Sequence, residues 1–190
     1  MTISKRIKNS ILEFQKGEIE NALIQVTISF DATAKKEGLT GGNAERCKKF
    51  IEKNKNIITR VSFGLLEIGG PLSLEYARTG NESKFATFEE VIYKLIRCNL
   101  LHEGEVSDII EFVDETTFGV STEGKIILPK TIVLGIVFAV ICSPANKNGT
   151  LDNSFIFNLG QKSYRFNEFW GEKEKALALF RQHAEDVSKK

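Results

Sequence analysis

Tyr93-Lys94-Leu95-Ile96-Arg97-Cys98-Asn99-Leu100-Leu101-His102-Glu103-Gly104-Glu105 is the stretch on which the reading of this chain turns. Thr87-Phe88-Glu89-Glu90 lies just ahead of it. Thr87 is a good N-cap, and Glu90, three residues on, completes a capping box. Apolar residues then fall at Phe88, Val91, Ile92, Leu95, Ile96 and Leu100, which is amphipathic helical spacing. Gly104 suits the position just past a helix end. On a regular helix, Asn99 and His102 lie on the side of Phe88, Ile92 and Leu95. Arg97 lies nearly opposite, about 140° from His102.

The chemistry of this stretch is concentrated in two side chains. The chain has only two histidines, His102 and His183, and a histidine can give or take a proton near neutral pH. Arginine stays charged and offers a planar fork of donors suited to phosphate. Together they form a tool kit for cleaving RNA. The segment Arg97-Cys98-Asn99-Leu100-Leu101-His102, followed by Glu103-Gly104, resembles the R-x4-6-H motif of the HEPN superfamily. The resemblance is sharp over roughly residues 86–105 and architectural elsewhere.

That resemblance implies a mainly α protein: a single HEPN-like helical bundle over 1–190 with small β-hairpin additions. It implies a metal-independent endoribonuclease that needs no cofactor, acts as a homodimer on an RNA substrate, and serves in toxin–antitoxin or antiviral defence. An antitoxin or another defence-system protein would then be a partner. Arg97 and His102 would be the catalytic residues. A dyad that pools residues of two copies would resolve their angular separation; an early helix end near Leu101 is the other way out. HEPN-like bundles also serve as non-catalytic scaffolds or as modules that bind nucleic acid or protein, and a cysteine directly after the arginine leans that way.

Supporting roles stay open. Asn99 either orients His102 or ties the helix to a loop. Cys98 is a small packing residue or a nucleophile beside His102. Lys94 is the nearest further cation and could touch a phosphate, whereas Glu103 and Glu105 are solvated or act as outlying acids. Asp31, in Phe30-Asp31-Ala32-Thr33, is a mid-helix carboxylate, either solvated or turned to the site. His102 itself has a bland reading, a core imidazole bonded to a backbone carbonyl. Arg97 has one too, a surface arginine paired with Glu90 or Glu103. His183 reads as surface.

Composition sets the frame. With 190 residues the chain can bury a real core. A net charge of +1 supplies no global field for nucleic acid, so any RNA contact needs a local patch. Cys47, Cys98 and Cys142 have no metal-ligand spacing. Together with an N-terminus lacking a signal-peptide pattern, they point to reduced thiols in a cytoplasm. The longest apolar run, Ile132 to Cys142, is too short to span a bilayer, so no membrane association is expected.

Working outward, helices are expected over 4–16, closed by Gly17, and over 18–36, closed by Gly38. Asn43 is placed to cap a third through Lys55. Ile57 to Leu65 is ambiguous, with a break at Gly69-Gly70-Pro71. Leu72 to Asn81 reads as irregular, with a turn at Gly80-Asn81. Downstream, hairpin insertions are expected near 108–128 and 154–166. Between them, Pro129 opens a helix through Ile141 that is apolar nearly all round and belongs at the centre of a bundle. A last helix is expected from about Glu168 to Val187.

Overall fold

The computed structural model describes residues 2–64, 72–77 and 83–188. Helix dominates it, and three small sheets decorate it. The expected break at Gly69-Gly70-Pro71 and the Gly80-Asn81 turn lie outside the described residues.

Helices α1 (Ile3–Gln15) and α2 (Ile19–Lys36) form an antiparallel pair. Thr2 caps α1 by accepting from the Lys5 N–H. Gly17 makes the turn between the two helices at φ +84°, a conformation that costs a residue with a Cβ. Helix α3 (Asn43–Lys53) follows, and α4 (Lys55–Ser62) begins after a single residue, Asn54. The sequence expectation of one helix through Lys55 is thus corrected: Asn54 leaves helical geometry, and its side chain reaches back to the Phe50 carbonyl. Asn43 is not the cap either, since Gly42 holds that position.

Helix α7 (Ile132–Ile141) is the central element, as its all-round apolar sequence requires, and it packs on α1, α2 and α4. The α4 crossing is close. A Cβ on Gly135 would sit 2.6 Å from the Ile58 carbonyl oxygen and would overlap the Ser62 hydroxyl. At the C-terminal side of α7, Phe138 stacks edge-on or tilted against Phe157, Phe166, Phe169 and Phe180, which ties the late hairpin and the last helix to the core.

Strands β1 (Ser73–Ala77) and β2 (Ser83–Thr87) pair antiparallel, and β1 lies where the sequence reading expected irregular chain. Leu74 and Tyr76 turn inward while Ser73 and Glu75 stay out, the alternation of a half-buried strand. Next, β3 (Ile110–Val113), β4 (Gly119–Val120) and β5 (Ile126–Pro129) form a sheet of order β3-β5-β4. The β4–β5 hairpin matches expectation, and β3 joins it in parallel. Pro129 ends β5 instead of opening a helix. β6 (Ile156–Leu159) and β7 (Lys162–Arg165) form the second expected hairpin. The final helix is interrupted: a 3-10 turn at Phe166–Phe169 is separated from α8 (Lys173–Ser188) by an extended Trp170 and by Gly171 at φ +75°. No helix among the described residues is long and apolar enough to cross a membrane.

Candidate functional site

The segment from 88 to 102 is one continuous helical run with an unusual middle. α5 (Phe88–Glu90) opens with the predicted capping box: the Glu90 N–H donates to Thr87 Oγ1 at 3.2 Å, and the Thr87 N–H to Glu90 Oε2 at 3.3 Å. Val91–Cys98 is then π-helical, and α6 (Asn99–His102) closes the run. A π-helix bonds residue i to i+5, so its turn is wider than that of an α-helix. The buried side follows the wider turn: Phe88, Ile92, Ile96 and Leu100 recur every four residues, joined by Tyr93 and Arg97.

This inverts the expected placement of the two key side chains. His102 is exposed, not on the apolar side. Arg97 is only 8% exposed. An angle computed for a regular α-helix does not survive a π-helical stretch of this length. Lys94 is exposed and pairs with Glu90 at 3.3 Å. Leu101 and Glu103 flank His102 at the surface, and Gly104 turns the chain at φ +85°. The chain then folds back, with the Ser107 N–H donating to the Leu95 carbonyl and the Val106 N–H to Glu20 Oε1 on α2.

Arg97 does not pair with Glu90 or Glu103. Its Nη2 donates to Asp31 Oδ2 at 2.7 Å, from α2. Its Nη1 reaches Cys98 Sγ at 4.0 Å, and its guanidinium carbon lies 5.3 Å from the Tyr93 ring centroid. Of the outlying residues singled out in the sequence, Asp31 is therefore one that the fold brings to Arg97. Its other oxygen serves α3: Cys47 Sγ donates to Oδ1 at 3.5 Å, and Arg46 Nη2 approaches the same atom at 3.5 Å. Arg46 also donates to Asn43 Oδ1 at 2.6 Å and to the Gly41 carbonyl at 3.5 Å.

Burial works against the Arg97 charge, but the Asp31 hydrogen bond and field more than offset it, leaving the guanidinium pKa above its ordinary value. Burial, reinforced by Asp31, pushes the Cys47 thiol up to about 12, so it stays protonated. Burial raises the Tyr93 phenol as well. The cluster thus sets two guanidiniums against one carboxylate. The Nε atoms of both Arg97 and Arg46 are buried and have no hydrogen-bond partner. On the α5 side of α3, Lys48 Nζ donates to Glu90 Oε1 at 2.9 Å; that bond, with Lys94 adding to it, holds the Glu90 carboxyl down at about 2.

Among the described residues no group of three or more His, Cys, Asp or Glu side chains could hold a metal ion. A family profile described as Rv1289 matches residues 2–189, nearly the whole chain. The chain belongs to the Rv1289 family. No curated protein and no solved structure matches it. The Rv1289 match spans the Asp31–Arg97 pair and His102 alike.

Sequence reasoning missed Arg46, Cys47 and Tyr93. The Tyr93–Arg97 spacing of one helical turn was available as a signal. The Arg46 contact was not, because Arg46 and Asp31 meet only through the packing of α3 on α2.

Proposed function

We propose that this Rv1289-family protein is a metal-independent endoribonuclease of HEPN type that works as a homodimer. The observation that carries the reading is a division of labour on one helix. An arginine is held in place with donors unspent, and an exposed histidine follows five residues later. The mainly helical fold with its two late hairpins is in keeping with this reading.

In the proposed reaction the RNA 2′-hydroxyl attacks the adjacent phosphorus. The new bond joins the 2′-oxygen to phosphorus, and the bond from phosphorus to the 5′-oxygen breaks. His102 takes the proton from the 2′-hydroxyl or delivers one to the departing 5′-oxygen. Arg97 stabilises the charge that builds on the non-bridging oxygens. The products carry a 2′,3′-cyclic phosphate and a 5′-hydroxyl. Within one protomer Arg97 turns toward α2 and His102 toward solvent, so the reading places the two groups together across a dyad. Leu101, 38% exposed beside His102, offers apolar surface for that contact. The test is RNA cleavage in EDTA by wild type, Arg97→Ala and His102→Ala. Loss of activity in both variants supports the proposal, and equal activity in all three ends it.

A second reading, a non-catalytic HEPN-like scaffold or binding module, is favoured by one specific observation. Asp31 closes on a buried Arg97 at 2.7 Å, as a structural ion pair would. It predicts that wild type cleaves no RNA and that His102→Ala leaves partner binding unchanged.

A further inference from the structure

The Arg46–Asp31–Arg97 cluster is short of negative charge and long on donors. Two guanidiniums converge on a single carboxylate, at 3.5 Å and 2.7 Å. Cys47 and Tyr93 are held protonated, and the next carboxylate along α3, Glu45, lies over Gly41 but is paired with Lys49 at 2.6 Å and makes no ion pair with Arg46. One positive charge is left without a carboxylate of its own. The donors tell the same story. Arg97 spends Nη2 on Asp31 and has only a sulfur near Nη1, while its Nε is buried and unpartnered; the Arg46 Nε is in the same condition. A structural ion pair closes its donor count, and this cluster does not.

We propose that Arg46 and Arg97 are the two arms of one oxyanion site, and that the oxyanion is a phosphate of the RNA backbone. A tetrahedral phosphate has enough oxygens to serve two guanidinium forks at once, which the single Asp31 carboxylate, already shared with Cys47, does not. Arg46, on α3, is the more exposed of the two arms. Gly41, Gly42 and Asn43 are exposed and lie against Arg46, whose side chain is about a fifth exposed, as is that of Asp31. Asp31 positions the two cations and holds them side by side against their mutual repulsion. Arg46 is then a binding residue that the Arg97–His102 motif does not contain. The identity of the phosphate as RNA's rests on the ribonuclease reading; the binding of phosphate does not need His102 or a second copy.

The experiment follows the arginine Nε–H signals of the 15N-labelled full chain by NMR. The probe is inorganic phosphate first, against chloride at matched ionic strength, and then a short 2′-O-methyl RNA that no 2′-hydroxyl attack can cleave. Arg46→Lys and Arg97→Lys assign the signals and keep the charge while removing the fork. Saturable movement of both the Arg46 and Arg97 signals with phosphate is expected, with tighter saturation by the RNA and about tenfold weaker RNA binding in Arg46→Lys. Signals that stay still with phosphate and RNA, or an Arg97 signal that moves alone, would overturn the inference. The wild-type titration needs no variant to fold. Active cleavage with a silent Arg46 sinks this inference alone; phosphate on both arginines with no cleavage in EDTA sinks only the nuclease.

Discussion

Asp31 Oδ2 and Arg97 Nη2 meet at 2.7 Å across 66 residues of sequence, joining α2 to the π-helical stretch where the candidate chemistry lies. Removing one partner of such a pair leaves the other charge stranded in a low-dielectric setting. Asp31→Ala is therefore expected to destabilise the fold by about 3 kcal/mol. Removing the exposed Lys8–Asp152 pair by Asp152→Ala should cost under about 1 kcal/mol. Urea unfolding of both variants checks the contrast, and equal losses would place Asp31 among ordinary surface charges.

The pair also marks where sequence reading stops. Helices α1 and α2 are legible because their apolar spacing and closing glycines are local signals, α7 because its run is apolar nearly all round and stops before Ser143-Pro144, and the β4–β5 and β6–β7 hairpins are legible too. Asp31 against Arg97 is not local: nothing in either neighbourhood names the other. The inverted placement of Arg97 and His102 has a different cause. The α-helical rotation of 100° per residue does not hold over Val91–Cys98, which turns more slowly. The apolar positions do not betray this, because Val91 and Leu95 supply the three-residue spacings of an ordinary α-helix among the fours of Phe88, Ile92, Ile96 and Leu100. Strand β1 was missed because Ser73 to Ala77 is short, although Leu74 and Tyr76 do alternate with polar neighbours.

Acid should probe the start of the site helix through Glu90. Its carboxyl is held at about 2 against an ordinary value of 4.5, chiefly by the Lys48 hydrogen bond. A folded pKa below the unfolded one means stability that is present above about 4.5 and is lost as pH falls toward 2. Because Glu90 is partly exposed, its contribution is discounted to on the order of 1 kcal/mol. Wild type should lose stability between those pH values more steeply than Glu90→Gln, which keeps the capping-box geometry without the titrating charge. Parallel acid profiles of urea midpoints would show that Lys48 contributes nothing there.

The α4–α7 crossing depends on a missing side chain. A methyl at Gly135 would stand 2.6 Å from the Ile58 carbonyl oxygen, which is backbone and has no rotamer to give way. Overpacking of this kind costs about 1–3 kcal/mol, more than the helix propensity gained by alanine. Gly135→Ala should lower the thermal midpoint, and so should Gly149→Ala, which would overlap the buried Trp170 ring. A Gly135→Ala protein as stable as wild type would mean that the helices separate freely.

Thiol chemistry offers a readout of the arginine cluster itself. Burial holds the Cys142 thiol up at about 12, as burial and Asp31 do for Cys47, so neither supplies appreciable thiolate near pH 8. Cys98 is only half-buried and lies beside Arg97 Nη1. A thiol reagent added to the native protein at about pH 8 is therefore expected to react with one cysteine quickly and with the other two only on unfolding. Cys98→Ser should abolish the fast phase. Asp31→Asn should speed the reaction of Cys47 without making it fast, because burial, the larger cause of its raised pKa, is unchanged while the carboxylate that adds to it is gone. If Cys47 remained inert in Asp31→Asn, its protection would come from burial alone and the carboxylate would not govern the cluster.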